Sequence, residues 1–259
     1  MSKLPLLLSI PHGGMEIPSE LIDKVSIDQY DIFHNSDACT LELFDHSDKI
    51  AEVVSTNVSS AIIDVDRSKA ALPPAEADGV VKLKTSQGKD VYYEDISTDQ
   101  DFINKLIENY YEPYHRKIAY RLKEKEIKLA IDCHTMDNVA PDTAEDANQT
   151  RPLISIGNHH GKSCDYEILE RLADCIQVTF NIGDMDVAIN KPADGGYITK
   201  KYGNNPVPFI YLAINKSLYL QDQYFNPDQL KVKQSRIDDL KNRFLDSLSL
   251  FSKVVMSKI

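Results

Sequence analysis

Leu6-Leu-Leu-Ser-Ile-Pro-His12 and Leu129-Ala-Ile-Asp-Cys-His134 share one pattern, a short apolar run that ends in a histidine. Runs of this length bounded by polar residues read as buried strands. Similar runs at Ser60–Val65, Leu153–Ile156, Gln177–Phe180 and Phe209–Ile214 extend the set of expected strands. Between them lie helical stripes. From Asp99 onward Ile103, Leu106, Ile107, Tyr110, Tyr114, Ile118 and Leu122 repeat at three- and four-residue steps. After Asn226-Pro-Asp228 the residues Ile237, Leu240, Phe244, Leu248, Phe251 and Val255 do the same. Both stripes predict core-facing helices. The fold class that follows is α/β, with a central mixed, mostly parallel sheet flanked by helices. A chain of 259 residues fits one domain spanning 1–259.

Apolar residues make up 42% and charged residues 27%, the balance of a water-soluble globular protein. The net charge of -11 opposes nucleic acid and anionic membrane surfaces, and no basic patch overrides it. The densest basic run, Arg116 to Lys128, is interleaved with Glu124 and Glu126 and reads as a solvated helix face. The apolar run near the N-terminus is too short for a signal-peptide core, and nothing approaches a membrane span. A cytoplasmic location is expected. Cys39, Cys133, Cys164 and Cys175 match no metal knuckle or disulfide framework, so free thiols are expected. Loops are expected at Leu72–Gly79, Ala140–Asn148 and Asn190–Gly196, where Pro, Gly and Asp gather.

The polar residues at the strand ends carry the functional reading. His12, the Asp64/Asp66/Arg67 group and His134 each follow an apolar run, and ligands of α/β sheets bind beyond the carboxyl ends of strands. Two histidines and a carboxylate form a common ligand set for catalytic zinc. Each histidine read alone is equally compatible with a packed core position. Arg67 suits bidentate recognition of a carboxylate, or a structural ion pair with Asp64 or Asp66. Gly195 and Gly196 permit close approach of the backbone to a ligand, and a plain turn also explains them. His34 and His46 read as surface or capping groups, and His159 or His160 as loop residues able to reach the site. His115 falls on the apolar side of the first helix, where it either supports the site or packs. Ser9 lacks the Gly-x-Ser-x-Gly context of a nucleophile elbow.

Ser9-Ile-Pro-His-Gly-Gly14 and Asp132-Cys-His-Thr-Met136 resemble two signatures of the N-formylglutamate amidohydrolase family. Asp64-Val-Asp-Arg67, Tyr110-Tyr-Glu-Pro-Tyr-His115 and Gly195-Gly-Tyr-Ile-Thr199 resemble three more, in order along the chain. The resemblance implies a fold similar to zinc carboxypeptidases and aspartoacylase. It also implies a zinc ion held by His12, His134 and a carboxylate, for which it favours Asp37 over Glu16. Arg67 matches the arginine that would hold a substrate carboxylate or polarise the scissile carbonyl, with Gly195 and Gly196 beside the substrate.

The implied activity is hydrolysis of a small N-acyl amino acid such as N-formyl-L-glutamate by metal-bound water. One departure stands out. Tyr211-Leu-Ala-Ile-Asn215 has Ala213 where the family pattern has the glutamate that serves as general base. Glu94 and Asp194 are loop candidates for a substitute base. A metal- and ligand-binding homologue impaired in catalysis, and a peptidase or amidase of the same fold, are the alternative expectations.

Overall fold

The two runs that end in histidine are neighbours. Strand β1 (Leu4–Ile10) pairs in parallel with β3 (Leu129–Met136), setting Ser9 opposite Asp132. β3 is buried along its whole length, as a central strand covered on both faces must be. β1 also pairs with β2 (Ile50–Ser55) and β3 with β6 (Phe209–Asn215), both in parallel. β4 (Ile154–Gly157) joins β6 in antiparallel fashion, and β5 (Val187–Ile189) joins β4 in parallel. The order is β2-β1-β3-β6-β4-β5, a mixed and mostly parallel sheet. The computed structural model describes residues 3–142 and 144–255. Met1, Ser2, Thr143 of the second expected loop, residues 256–259 and the side chain of Val255 lie outside them.

Alternation along the strands sends side chains to two cores. Leu6, Leu8, Ile10, Ile131, Cys133, Leu212 and Ile214 pack against α2 (Thr40–Phe44), α5 (Tyr166–Phe180) and α7 (Gln234–Val255). On the other face Leu7, Ala130 and Phe209 meet α3 (Gln100–Leu106) and α4 (Glu112–Arg121), which one wide π turn at Ile107–Tyr111 joins. Asp99 caps this helical run by accepting the Phe102 N–H. Both expected helices are present.

Two expected strands are not. Gln177–Phe180 is the last turn of α5, where Leu169, Leu172, Ala173, Ile176 and Phe180 are buried at helical spacing. Asn181, at φ 54°, closes that helix in the left-handed conformation. Ser60–Val65 is a series of turns, with Ile63 bridged to Val81. Its residues are buried throughout, and burial without pairing looks in sequence like a strand. Conversely, β2 and β5 went unforeseen. β2 is an edge strand carrying Glu52, which Lys117 and Arg121 of α4 cover at 3.4 and 3.1 Å. β5 has only three residues.

His46 is also a correction: it is buried against Phe244, where burial pushes its imidazole down to about 4, and is neither a surface nor a capping group. All four cysteines are free, Cys39 half-buried and the others buried. Among the described residues no helix is long and apolar enough to cross a membrane.

Ile131 sits fully buried at the centre of β3, between Leu8 and Ile210. Ile131→Ala is expected to lower the unfolding free energy by about 2–5 kcal/mol. Urea titration reads this as a lower midpoint at unchanged slope.

Candidate active site

His12 lies two residues beyond β1, and His134 lies within β3 on the same sheet face as Asp132. Asp37 stands in the turn between α1 (Gln29–Asn35) and α2. Its backbone N–H donates to the His12 carbonyl at 3.1 Å, which fixes the turn beside the histidine. Its side chain completes the cluster. Asp37 Oδ2 lies 3.1 Å from His134 Nδ1 and 3.5 Å from His12 Nδ1, and it accepts the Thr135 N–H at 3.2 Å. The two rings meet edge to face with centroids 4.9 Å apart.

Carboxylates also face the far edges of both rings. His12 Nε2 is 2.7 Å from Asp64 Oδ1. His134 Nε2 lies 3.3 Å from Asp132 Oδ2 and 3.7 Å from Asp66 Oδ2, without a well-directed hydrogen bond. A carboxylate behind an imidazole favours the tautomer with the proton on Nε2. In the metal-free cluster Asp37 can only accept, so Nδ1–H of His134 donates to it and that of His12 points toward it; a metal at the cluster would take the place of these protons. Asp132 is itself completely buried and is held by the hydroxyls of Ser9 at 2.8 Å and Thr199 at 3.3 Å. Ser9 therefore supports a carboxylate and is no nucleophile.

Charge follows from this crowding. Burial pushes His12 toward the neutral imidazole, but the charge of Asp64 and the hydrogen bonds of Asp37 and Asp64 prevail and raise it to about 9. Burial likewise opposes ionisation of Asp37, and the two imidazoles overcome it and hold the carboxyl well below its usual range. Burial, and then the charge of Asp132, pushes Asp66 up to about 7. The cluster thus concentrates positive charge on two imidazoles around one carboxylate. A divalent cation can replace those protons, and two nitrogens with one oxygen suit zinc. His12, Asp37 and His134 fit a metal; Asp66, Asp132 and His134 form a second, fully buried group of possible ligands.

Cavities of about 340, 530 and 600 Å³ all have Asp37 in their walls, so the cluster is the point where open space converges. Glu16 is exposed, and its backbone pairs with Asn57 and Ser59, outside the cluster. Arg67 lines two of the cavities and forms the ion pair with Asp64, Nε to Oδ2 at 3.1 Å. Gly195 and Gly196 line the largest. A Cβ on Gly196 would lie 1.9 Å from Asp66 Oδ2, so the group that approaches this backbone closely is a carboxylate of the chain itself. Asp66 Oδ1 accepts the Ile198 N–H in the first turn of α6 (Tyr197–Tyr202).

Other expected residues stand apart. His159 binds Asp194 at 2.8 Å, and Asp194 also holds Lys200 at 2.9 Å, so neither is aimed at Asp37. Glu94 is exposed beside Tyr92, in a different cavity. His34 is half-buried on Tyr30, in the wall of the 530 Å³ cavity. His115 donates from Nε2 to the Val65 carbonyl at 2.9 Å and accepts the Tyr202 hydroxyl at Nδ1, bracing the turn that carries Asp64 and Asp66. Ala213 is fully buried, opposite His134 in the β3–β6 register. Sequence reasoning passed over Tyr211, whose ring lies 5.1 Å from that of His134, and Lys82, 3.0 Å from Asp64. Tyr211 had a signal: it shares a strand face with Ala213. Lys82 had none.

A histidine–carboxylate cluster at the strand ends of a mixed α/β sheet, with cavities opening onto it, defines an enzyme whose polar groups are placed for hydrolysis. Comparison with known proteins narrows this. The family model for N-formylglutamate amidohydrolase matches residues 4–220, and the chain belongs to that family of hydrolases acting on C–N amide bonds. The N-formylglutamate deformylase of Pseudomonas putida is 25% identical over 230 residues, covering 85% of this chain and 83% of its own. The crystal structure of an N-formylglutamate amidohydrolase from Ralstonia eutropha superposes with TM-score 0.75 at 15% identity, covering 99% of this chain and 96% of that one. A gene product of Agrobacterium tumefaciens gives 0.65 at 18% identity, covering 98% and 92%. These two structures share the fold.

Asp132→Asn is expected to weaken zinc affinity by about 10- to 100-fold, since the charge facing His134 Nε2 is lost. A zinc ion held by this cluster would be lost in His134→Ala, read by elemental analysis of chelator-free wild type and variant. Because protons on His12 must leave before a metal binds, zinc affinity should rise with pH from about 6 to 9. The slope is roughly tenfold per unit for each proton displaced, measured by chelator competition.

Proposed function

We propose that this chain is a zinc-dependent amidohydrolase that removes the acyl group from a small N-acyl amino acid, with N-formyl-L-glutamate as the reference substrate. The observation that carries the reading is the convergence of His12 Nδ1, His134 Nδ1 and Asp37 Oδ2, in a family of amide hydrolases. The net reaction adds water across the amide: oxygen goes to the formyl carbon, the C–N bond breaks, and formate and the free amine leave. When bound, zinc supplies a Lewis acid and lowers the pKa of water to about 7.

The chain's own residues do the rest. Asp64 and Asp132 face the outer edges of the two imidazoles and orient them toward Asp37. Arg67 lines the cavity beside His12, with Nε on Asp64 and Nη2 on Asp78. A guanidinium there opposes negative charge developing on the carbonyl oxygen or holds a carboxylate. Tyr211, Gly195 and Gly196 line the 600 Å³ cavity together with His12, Arg67 and His134.

A second reading rests on Ala213. No carboxylate stands at this position opposite His134, so the chain lacks a proton acceptor there, and a metal- and ligand-binding homologue with weak catalysis is the alternative. Zinc-loaded protein incubated with N-formyl-L-glutamate decides between them. Formate release that disappears in His134→Ala supports the hydrolase. Zinc-loaded protein inert toward N-acyl amino acids, but gaining hydrolysis in Ala213→Glu, supports the second reading. In an active wild type without its base, Ala213→Glu is expected to raise kcat by about 10²- to 10⁴-fold.

A further inference from the structure

The 530 Å³ cavity beside His12 gathers four cations, Arg67, Lys82, Lys84 and Lys216, with four aspartates, Asp37, Asp64, Asp78 and Asp137. Lys82 is the unusual member: its side chain is only 11% exposed. Its ammonium is 3.0 Å from Asp64 Oδ2, the same oxygen that Arg67 Nε approaches at 3.1 Å. The two cations then diverge to grip another carboxylate. Arg67 Nη2 donates to Asp78 Oδ2 at 2.8 Å, and Lys82 donates to Asp78 Oδ1. A carboxylate held with one oxygen on each of two cations is the geometry of an anion site. The carboxylate in it belongs to a side chain that is 71% exposed, so water can solvate it when it leaves the fork. It can be exchanged at little cost.

We propose that Arg67 and Lys82 form the fork that binds the side-chain carboxylate of an acidic N-acyl amino acid, with Asp78 as its internal stand-in. This rests on the amidohydrolase reading and names the determinant of its specificity. The span favours a side-chain group over the α-carboxylate. Between the His12 Nδ1 edge and the fork lie the imidazole ring and the whole Asp64 carboxylate. An α-carboxyl carbon is two bonds from the amide nitrogen, whereas the side-chain carboxyl carbon of glutamate is four bonds away. Lys82 is therefore a specificity-determining residue, and the acidic substrate must displace Asp78 to enter.

Equilibrium titrations of metal-free protein with N-formyl-L-glutamate and N-formyl-L-glutamine, which preclude metal-dependent turnover, test the fork. Wild type should bind the acid at least about tenfold more tightly than the amide. Asp78→Asn, an exposed change, should tighten the acid about threefold or more and leave the amide unchanged. Lys82→Met should erase the preference, and in the double variant the gain from Asp78→Asn should vanish. Equal affinities for acid and amide in wild type, absence of binding by either, or a gain that persists without Lys82 would overturn the proposal. The last result would mark a general field effect. Zinc-loaded turnover, measured separately, distinguishes the failures: acid-selective binding without hydrolysis removes the enzyme reading and leaves the fork, whereas indiscriminate hydrolysis does the reverse.

Discussion

Asp64 is the carboxylate to which the polar groups on one side of the site are referred. It is 5% exposed in its side chain and takes four donors: His12 Nε2 and the Asp66 N–H on Oδ1, Arg67 Nε and Lys82 Nζ on Oδ2. An isolated carboxylate at that depth would cost several kcal/mol and would be protonated instead. Burial does push it up, but the charges of His12, Lys82 and Arg67 hold it well below the usual range. One ionised group thereby sets the direction of an imidazole and the spacing of two cations. Binding of an anion and the state of His12 are linked through it.

The opposite histidine has a separate anchor. Asp132 is completely buried, and among the described residues its ion-pair partner is His134; Ser9 and Thr199 hold it with hydroxyls. Tyr114 reaches the same Ser9 at 2.8 Å from α4, on the face where α3 and α4 cover the sheet. The site is thus supported from beneath by the helix whose apolar stripe builds the second core. Packing and chemistry share one element here.

Much of this was legible in the chain. β1, β3 and β6 announce themselves as apolar runs with polar ends, and His12, Asp37 and His134 meet as the family resemblance implies. Asp132 was readable too, because two residues from His134 on a strand means the same face. What escaped depends on distance in sequence. Lys82 is an ordinary lysine in Val80-Val-Lys-Leu-Lys84 until the turns of 59–67 bring Asp64 against it. Ser60–Val65 misled because its burial serves two sides of a turn, not a sheet. Gln177–Phe180 misled because Val and Thr favour strands locally, whereas the preceding eleven residues of α5 commit them to a helix.

The π turn at Ile107–Tyr111 sets a phase. Everything after it in the helix is rotated by one residue relative to a uniform α-helix. In that rotated frame Tyr111 donates to the Arg67 carbonyl, Tyr114 meets Ser9, and His115 meets the Val65 carbonyl. A chain shortened by one residue in this turn would keep its helix and its hydrophobic content. It would nevertheless swing those three side chains about 100° around the axis, since 3.6 residues complete a turn. The length of this segment is therefore as binding a constraint as the identity of any residue in it.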